Sequence, residues 1–430
     1  MMNMKPSGVQ WIGDVPSEWK LGKVKNRFYS TKTIVGDKVD DYERLALTLG
    51  GVIRRSKEAN DGLQPEKFDG YQILKENELV FKLIDLANVS TSRVGLSPYT
   101  GIVSPAYIVL HDRQNGCPRY AEYYFLSMWM HEVFNHLGGD GVRSSLNAKD
   151  LLNVPFPLIS EAEQQAIADF LDDRCSKIDE IIAEATASIE EYKELKQAVI
   201  FEAVTKGINF TGKTKQSGIF WAQDIPETWD VIKVARSFSV ELGKMLDAKR
   251  VSGERLRPYL RNADVQWYGI NTDNLNVMDF SEEEDERYTV KPGDLLVCEG
   301  GDIGKSFIVP EDFPEGIYYQ KALHRVRSYD NDSDSLKWLY YILYVMSKYG
   351  FFNALSGEKS TIQHLPAVTF NQIKFPMPKS EEKGTIVDYL EKQIPEYDSL
   401  ISEKQALIDD LQAYKKSLIY EVVTGKRRVV

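Results

Sequence analysis

The sequence predicts an α+β protein: two globular domains separated by a long antiparallel two-helix coiled coil and related by a pseudo-twofold internal repeat. Three observations carry this expectation. Ser7-Gly8-Val9 and Trp11, then Asp14, Pro16 and Trp19, recur as Ser217-Gly218-Ile219 and Trp221, then Asp224, Pro226 and Trp229, always 210 residues later. A second repeat aligns Val154–Gly207 with Ile373–Lys426 without a gap, 219 residues apart, with sixteen identities in fifty-four pairs. The offset grows by nine between them, so ends that agree surround middles that do not. That pattern fits two related modules that recognise two different things.

Composition bounds the answer. A chain of 430 residues is too long for one ordinary domain, and 43% apolar with 11% aromatic residues supports packed cores. Cys117, Cys175 and Cys298 lie far apart without CxxC spacing, so neither a disulfide framework nor a zinc site is expected, and a reducing cytoplasm is the natural compartment. The first residues lack the apolar run of a leader, and no stretch approaches the ~18 apolar residues of a membrane span. The net charge of −11 is uneven: residues 1–150 carry 19 cations and 18 carboxylates, whereas residues 160–206 carry 5 and 12. Overall acidity therefore does not exclude a local surface for nucleic acid.

In chain order, residues 1–159 form the first globular domain. Strands are expected at Glu78-Leu79-Val80-Phe81 and Ala106–Leu110, with a helix over Tyr120–His136. Residues 160–207 form the first connector. Its apolar positions Leu171, Cys175, Ile178, Ile182, Ala185, Ile189, Tyr192 and Val199 alternate steps of three and four, which draws a coiled-coil seam. Residues 208–379 form the second domain, with strands at Asp294–Val297 and Ala322–Val326 and a helix over Leu336–Tyr349. Residues 380–425 repeat the connector through Leu390, Ile394, Tyr397, Ile401, Ile408, Leu411, Leu418 and Val422, and 426–430 form a tail. Lys196 and Lys415 interrupt the two seams at the same point. Pro395 suits the first turn of a helix better than its interior, so each connector is expected as a short helix, Glu163–Arg174 or Glu382–Gln393, leading into one of about 30 residues.

The loop before each connector carries matched chemistry. Gly141, Arg143, Ser144, Ser145, Leu146 and Asn147 correspond to Gly357, Lys359, Ser360, Thr361, Ile362 and Gln363. A cation, two hydroxyls and an amide on a glycine-led loop suit phosphate oxygens and base edges, and they also suit a solvated loop that caps the next helix. Further basic candidates are Arg54, Arg55 and Lys57 in the first domain, and Lys249, Arg250, Arg255, Arg257 and Arg261 in the second.

Catalytic motifs fail on spacing. Gly300-Gly301-Asp302-Ile303-Gly304-Lys305-Ser306 puts Glu299 where a phosphate loop needs its first glycine. His131-Glu132 and His136 are spaced five apart, not four, which turns the second imidazole away from a shared metal. Ser97-Pro98-Tyr99 is not the motif of an adenine methyltransferase. No chemistry, no metal and no cofactor bound by this chain are expected.

Together, Trp11-Ile12-Gly13-Asp14-Val15-Pro16 with Trp19, Phe156-Pro157-Leu158 leading into Glu163-Gln164-Gln165, Ile167 and Phe170-Leu171, and Ile200–Gly207 with its copy Ile419–Gly425 resemble the DNA-specificity subunit of Type I restriction–modification systems. The resemblance covers essentially the whole chain, and it weakens at Lys383-Gly384 and Trp221-Ala222-Gln223. It implies that each domain is a target-recognition domain reading one half of a bipartite, asymmetric site in double-stranded DNA. The helices would set the spacer and dock two methyltransferase (modification) subunits. S-adenosylmethionine, ATP and Mg²⁺ would be used by those and by restriction/translocase subunits. Two other readings remain: a coiled-coil scaffold without DNA specificity, and a fused methyltransferase or nuclease.

Overall fold

In the computed structural model, residues 3–58, 67–84, 86, 93–114, 116–137, 145–245, 253–355 and 364–429 are described. The chain divides into two compact units: 1–186 with 405–430, and 187–404. Each therefore takes half of one connector helix and half of the other. Among the described residues, no helix is long and apolar enough to cross a membrane.

The first unit begins with a hairpin, Met4–Pro6 against Asp14–Pro16. Strand Lys20–Lys23 then pairs antiparallel with Pro155–Leu158, over 130 residues later, so the two blocks that repeat in sequence meet in space. Between them lie two four-stranded sheets. One runs Phe28–Tyr29, Ile108–Asp112, Leu79–Phe81, Val94–Leu96, all antiparallel. The other runs Gly51–Arg55, Arg44–Thr48, Gly101–Val103, Gln72–Leu74, with Arg44–Thr48 parallel to Gly101–Val103. Helix Pro118–Met130 packs Tyr120, Tyr124 and Phe125 around Phe156 in one core. The strands read from the sequence are present within two residues of their expected limits, whereas the helix ends at Met130 instead of His136, because Glu132 turns left-handed (φ +56°) and a short 3-10 turn, Val133–His136, follows.

The second unit repeats this plan. Hairpin Thr214–Gln216/Asp224–Pro226 is followed by Asp230–Lys233 pairing with Lys374–Met377. One sheet runs Phe238–Leu242, Leu323–Ser328, Leu295–Cys298, Ser306–Ile308; the other runs Asn276–Asp279, Leu256–Leu260, Tyr318–Tyr319, its last pair parallel. Helix Ser333–Lys348 takes the place of Pro118–Met130. The units differ where a turn joins the parallel-paired strand to its hairpin partner. Only Leu49 and Gly50 separate Thr48 from Gly51, whereas fifteen residues separate Leu260 from Asn276. This insertion folds into its own small hairpin, Val265–Gln266/Gly269–Ile270, whose tip carries Trp267 and the exposed Tyr268.

Each connector is one helix, Glu161–Lys206 and Ser380–Val423, and the expected break near residue 175 or 394 does not occur. Pro395 lies inside the second helix. A proline there forgoes one hydrogen bond and costs about 3 kcal/mol. The seam residues on either side, Leu390, Ile394, Tyr397 and Ile401, all stay buried or half-buried in a continuous helix, and each such side chain contributes roughly 1.5–3 kcal/mol when fully buried. Packing thus outweighs the proline.

Within each unit the two helix segments run antiparallel. In the first, Lys415 contacts Asp179 (2.6 Å) while Arg427 lies over the Phe170 ring (5.8 Å). Leu418, Ile419, Val422 and Val423 join Leu171, Cys175 and Ile178 in the core, with Ile182 and Leu411 beside them. In the second, Lys196 contacts Asp398 (2.6 Å), and Ile200, Ala203 and Val204 share a core with Ile386, Val387 and Leu390, with Val199 against it. Ile189 and Ile408 are also buried, and Tyr397 and Ile401 half-buried. Gly425 ends the second helix at φ +74°, and a Cβ there would stand 2.4 Å from Pro16, so only glycine lets the helix end close over Trp19.

Candidate nucleic-acid interface

The duplicated scaffold is held by duplicated contacts. Trp19 Nε1 donates to Glu163 (2.9 Å), and Trp229 Nε1 donates to Glu382 (2.9 Å). Each bond ties the start of a module to the start of its connector. The departure at Lys383 has a physical reason. In the first unit Gln164 accepts from the buried Arg27, which also holds Asp112 (2.7 Å). In the second unit the cation is Lys383 itself, buried against Asp332 (2.5 Å) and Ser335 (2.6 Å).

On this scaffold the basic candidates separate. Arg54, on the exposed outer strand Gly51–Arg55, lies over Tyr99 (4.3 Å) and pairs with Glu43 (2.8 Å), both contacts half-open to solvent. Arg55 stands beside it, and Lys57 donates to the Val39 carbonyl (2.7 Å). In the second unit Arg255 grips Asp285 through two nitrogens (2.8 and 2.5 Å), and Arg261 does the same to Asp264 (2.8 and 3.0 Å). These partners draw Asp285 down to about 2, through its hydrogen bonds from Arg255 and Tyr318. Arg255 and Arg261 are thus structural fasteners first. Arg257 is exposed on the same strand as Leu256–Leu260, paired with Met278 across the sheet. Arg143, Ser144, Lys249, Arg250, Lys359, Ser360, Thr361 and Gln363 lie outside the described residues.

The end of the first matched loop is described, and it revises the correspondence drawn above. Leu146 donates its amide to Leu83 O (2.8 Å), and Leu365 donates to Glu299 O (2.7 Å). Asn147 caps helix Ala148–Leu152, taking the amides of Lys149 (2.9 Å) and Asp150 (3.1 Å), and Pro366 holds the capping position of Ala367–Gln372. The 219-residue offset therefore extends back to Ser145, which matches His364, and Asn147 matches Pro366, not Gln363. Its side chain serves the helix. Ser145 stays exposed, its backbone bridged to Ile84.

The near-motifs resolve as packing. The Gly300 loop leads into strand Ser306–Ile308, not into the helix N-terminus that a phosphate loop requires. A Cβ on Gly304 would meet the Phe352 ring at 2.2 Å. His131 ends its helix, accepted by Ser127 O (2.9 Å), and its ring lies on Tyr420 (5.0 Å). Among the described residues, no group of three or more His, Cys, Asp or Glu could hold a metal.

One set of polar residues goes beyond the candidates read from the sequence. Tyr123 donates to Asp172 (2.7 Å), which also binds Arg119 (2.7 Å); Tyr341 donates to Glu391 (2.8 Å), which also binds Lys337 (3.3 Å). The signal was present: a cation and a tyrosine four apart on each module helix, and carboxylates 219 apart on the connectors.

Two modules of one scaffold, differing in their hairpins and joined by paired helices, define the class. Residues 25–191 and 226–409 match the family of Type I restriction modification DNA specificity domains, and the chain belongs to that family. It carries the domain twice and is of the specificity-subunit kind. Among solved structures, a chain from the work on complex assembly and conformational transition of the type I R-M system is similar (TM-score 0.73, 13% identity, covering 96% of this chain and 99% of that one). The HsdS subunit from Thermoanaerobacter tengcongensis is similar with a TM-score of 0.52, also at 13% identity, covering 96% and 98%. At such identity the likeness is one of fold. No curated protein sequence matches significantly.

Proposed function

We propose that each unit reads one half of a bipartite, asymmetric site in double-stranded DNA, and that the connector helices set the spacer between the halves and dock two methyltransferase subunits. The observation that carries this is the contrast inside the repeat. Latches such as Trp19–Glu163 and Trp229–Glu382 are kept, while the hairpins at 44–55 and 256–279 differ by a whole inserted element. A surface that varies on a constant frame suits two different targets. The chain itself performs no chemistry in this reading; S-adenosylmethionine, ATP and Mg²⁺ act on partner subunits, and the complex works in the cytoplasm.

The test exchanges residues 253–328 for the matching stretch of a relative with another specificity, within the assembled methyltransferase. Mapping methylated adenines should show one half-site replaced and the other unchanged. Retention of both half-sites would refute the assignment, and methylation without any sequence preference would favour a scaffold role. Inserting one heptad into both Ile178–Val199 and Tyr397–Leu418 lengthens each helix by about 10 Å. The preferred spacer should lengthen with it.

A further inference from the structure

The hairpin inserted in the second unit turns on two aromatic residues. Val265 pairs with Ile270 and Gln266 with Gly269, so Trp267 and Tyr268 alone make the turn. Two-residue turns favour glycine, asparagine or aspartate, whose backbones suit a left-handed bend. Here neither central residue takes a positive φ, so backbone preference does not account for the pair. Their side chains do, and the two take opposite places. Trp267 is 5% exposed, with its ring against Tyr340 (5.8 Å) and Tyr344 (5.0 Å) and the Lys348 ammonium over it (5.5 Å). Its carbonyl accepts from the Tyr340 hydroxyl (3.0 Å). Among the described residues Tyr268 is the most open aromatic side chain, 78% exposed, and no hydrogen bond or ring contact holds it.

Polar residues nearby are spent on holding the base of the hairpin. Arg261 grips Asp264, Asn262 donates to the Gly300 carbonyl (3.3 Å), and Gln266 donates to the Ala263 carbonyl (2.8 Å) while accepting from Lys305 (3.3 Å). The base thus rests on the Gly300 loop, and Gly300 is bridged to His364, five residues beyond the candidate Lys359. The seat of Trp267, by contrast, belongs to the constant frame. Tyr340, Tyr344 and Lys348 correspond to Glu122, Leu126 and Met130, an alignment fixed by Tyr341 with Tyr123 and by the left-handed Gly350 and Glu132. In the first unit those three line a groove of about 670 Å³ that stays open, with Leu49, Gly50 and Gly51 of the short turn beside it. An added element that pins one ring on the shared frame and holds the next in solvent is a mount for the exposed ring. A rigidly backed tyrosine offers a large contact area at little cost in side-chain entropy, with an apolar face for a thymine methyl and a hydroxyl for a base edge. We infer that Tyr268 reads a base pair of the second unit's half-site, and that Trp267 is the positioning residue that holds it. This rests on the proposed DNA-reading role and names one of its contacts.

The test uses the full chain in the assembled methyltransferase, acting on duplexes with both half-sites randomised, with methylated adenines read by sequencing. Tyr268 is exposed, so its truncation leaves the fold intact. Tyr268→Ala should lower the preference at one or two adjacent positions of the second unit's half-site roughly tenfold, and leave the first half-site as it was. Trp267→Ala should relax the same positions, and Trp267→Phe, which can refill the seat, should restore them. Preferences unchanged in Tyr268→Ala would overturn the assignment. So would an equal loss on all sequences, the mark of a phosphate contact. Relaxation by Trp267→Ala at positions that Tyr268→Ala does not affect would overturn the positioning role. The exchange of residues 253–328 keeps the two levels apart. A half-site replaced by that exchange but indifferent to Tyr268→Ala refutes the tip alone, whereas two half-sites retained refute the reading on which it rests.

Discussion

His111 and His324 show how one residue type takes opposite roles in equivalent sheets. The His111 ring meets two acceptors, Glu78 (2.7 Å from Nδ1) and the Thr31 carbonyl (3.0 Å from Nε2), and only the imidazolium can donate to both. The Glu78 bond raises its pKa against the opposing effect of burial. Burial works to raise Glu78 in turn, but bonds from His111 and the Lys75 amide bring it below its ordinary value. A raised histidine stabilises below its unfolded pKa and ceases to as pH climbs through the folded one, so this contribution fades above about pH 6.5. The lowered Glu78 contributes above its ordinary range and is lost as pH falls through its folded value. His324 is fully buried, Nε2 donating to Leu365 O (2.7 Å), and burial depresses it. Its contribution is present above the ordinary histidine value and is lost as pH falls. His111→Gln should flatten the alkaline side of a stability profile, above the ordinary histidine value of about 6.5, and His324→Gln the acid side. Urea unfolding across pH measures both, and an alkaline slope surviving in His111→Gln would mean that the pair does not act. On the proposed DNA-reading role, Arg143→Ala and Lys359→Ala, both outside the described residues, should each weaken binding by roughly 1–3 kcal/mol for a base contact, or lower the salt slope by about one for a phosphate contact. Unchanged affinity and slope in both would remove those loops from the interface. Sequence alone could not sort the arginines. Arg255 finds Asp285 thirty residues on, a pairing that only the tertiary fold creates.

Among the elements, the connectors are governed by reciprocal ion pairs at their seam. Lys196 meets Asp398, and Lys415 meets Asp179; lysines and aspartates each stand 219 residues apart, so each helix supplies the same two roles. The two lysines look like flaws in the sequence. A charged residue at a seam position fixes register and pairing at some cost in stability. Lys196 is nearly enclosed, whereas Asp398 is half-open to solvent. Asp398→Ala leaves an enclosed ammonium without its counter-ion and should cost about 1–3 kcal/mol in the second unit. Lys196→Met should cost less, because a methionine can fill the seam. Denaturant unfolding of both variants and of the double mutant gives the coupling, and a larger loss from Lys196→Met would argue against this account. The helix through Pro395 belongs at this scale too. Local propensity marks a break there, and packing along the seam overrides it.

For the whole molecule, neither unit is continuous in sequence. The first completes its core with Leu418, Ile419, Val422 and Val423 from the far end of the chain. A fragment ending near Gly212 lacks them but keeps Lys196, Val199, Ile200, Ala203 and Val204, their counterparts at the 219-residue offset. Two such fragments can supply each other with what is missing, remaking Lys196–Asp179 in place of Lys415–Asp179, and self-pairing gives a closed twofold dimer. The fragment should therefore dimerise, most readily at moderate salt, since residues 160–206 carry 12 carboxylates against 5 cations. It should also bind a palindrome of the first half-site. Light scattering that finds a monomer at tens of micromolar would refute the exchange; a dimer indifferent to the palindrome would keep the pairing and refute the first domain as a self-sufficient reader.

What the sequence determined by itself is whatever repeats along it: two modules, two connectors and the seam. Each of these is written as identical or periodic residues at a constant offset, because the same local packing must be satisfied twice. What only the tertiary structure decided is whatever depends on partners distant in the chain. The exchange of helix halves between units, the single helix through Pro395, the assignment of Asn147 to a cap, and the seat of Trp267 on Tyr340 and Tyr344 are of this kind. A side chain's role there is set by what the fold brings against it. Spacing along the chain does not encode that.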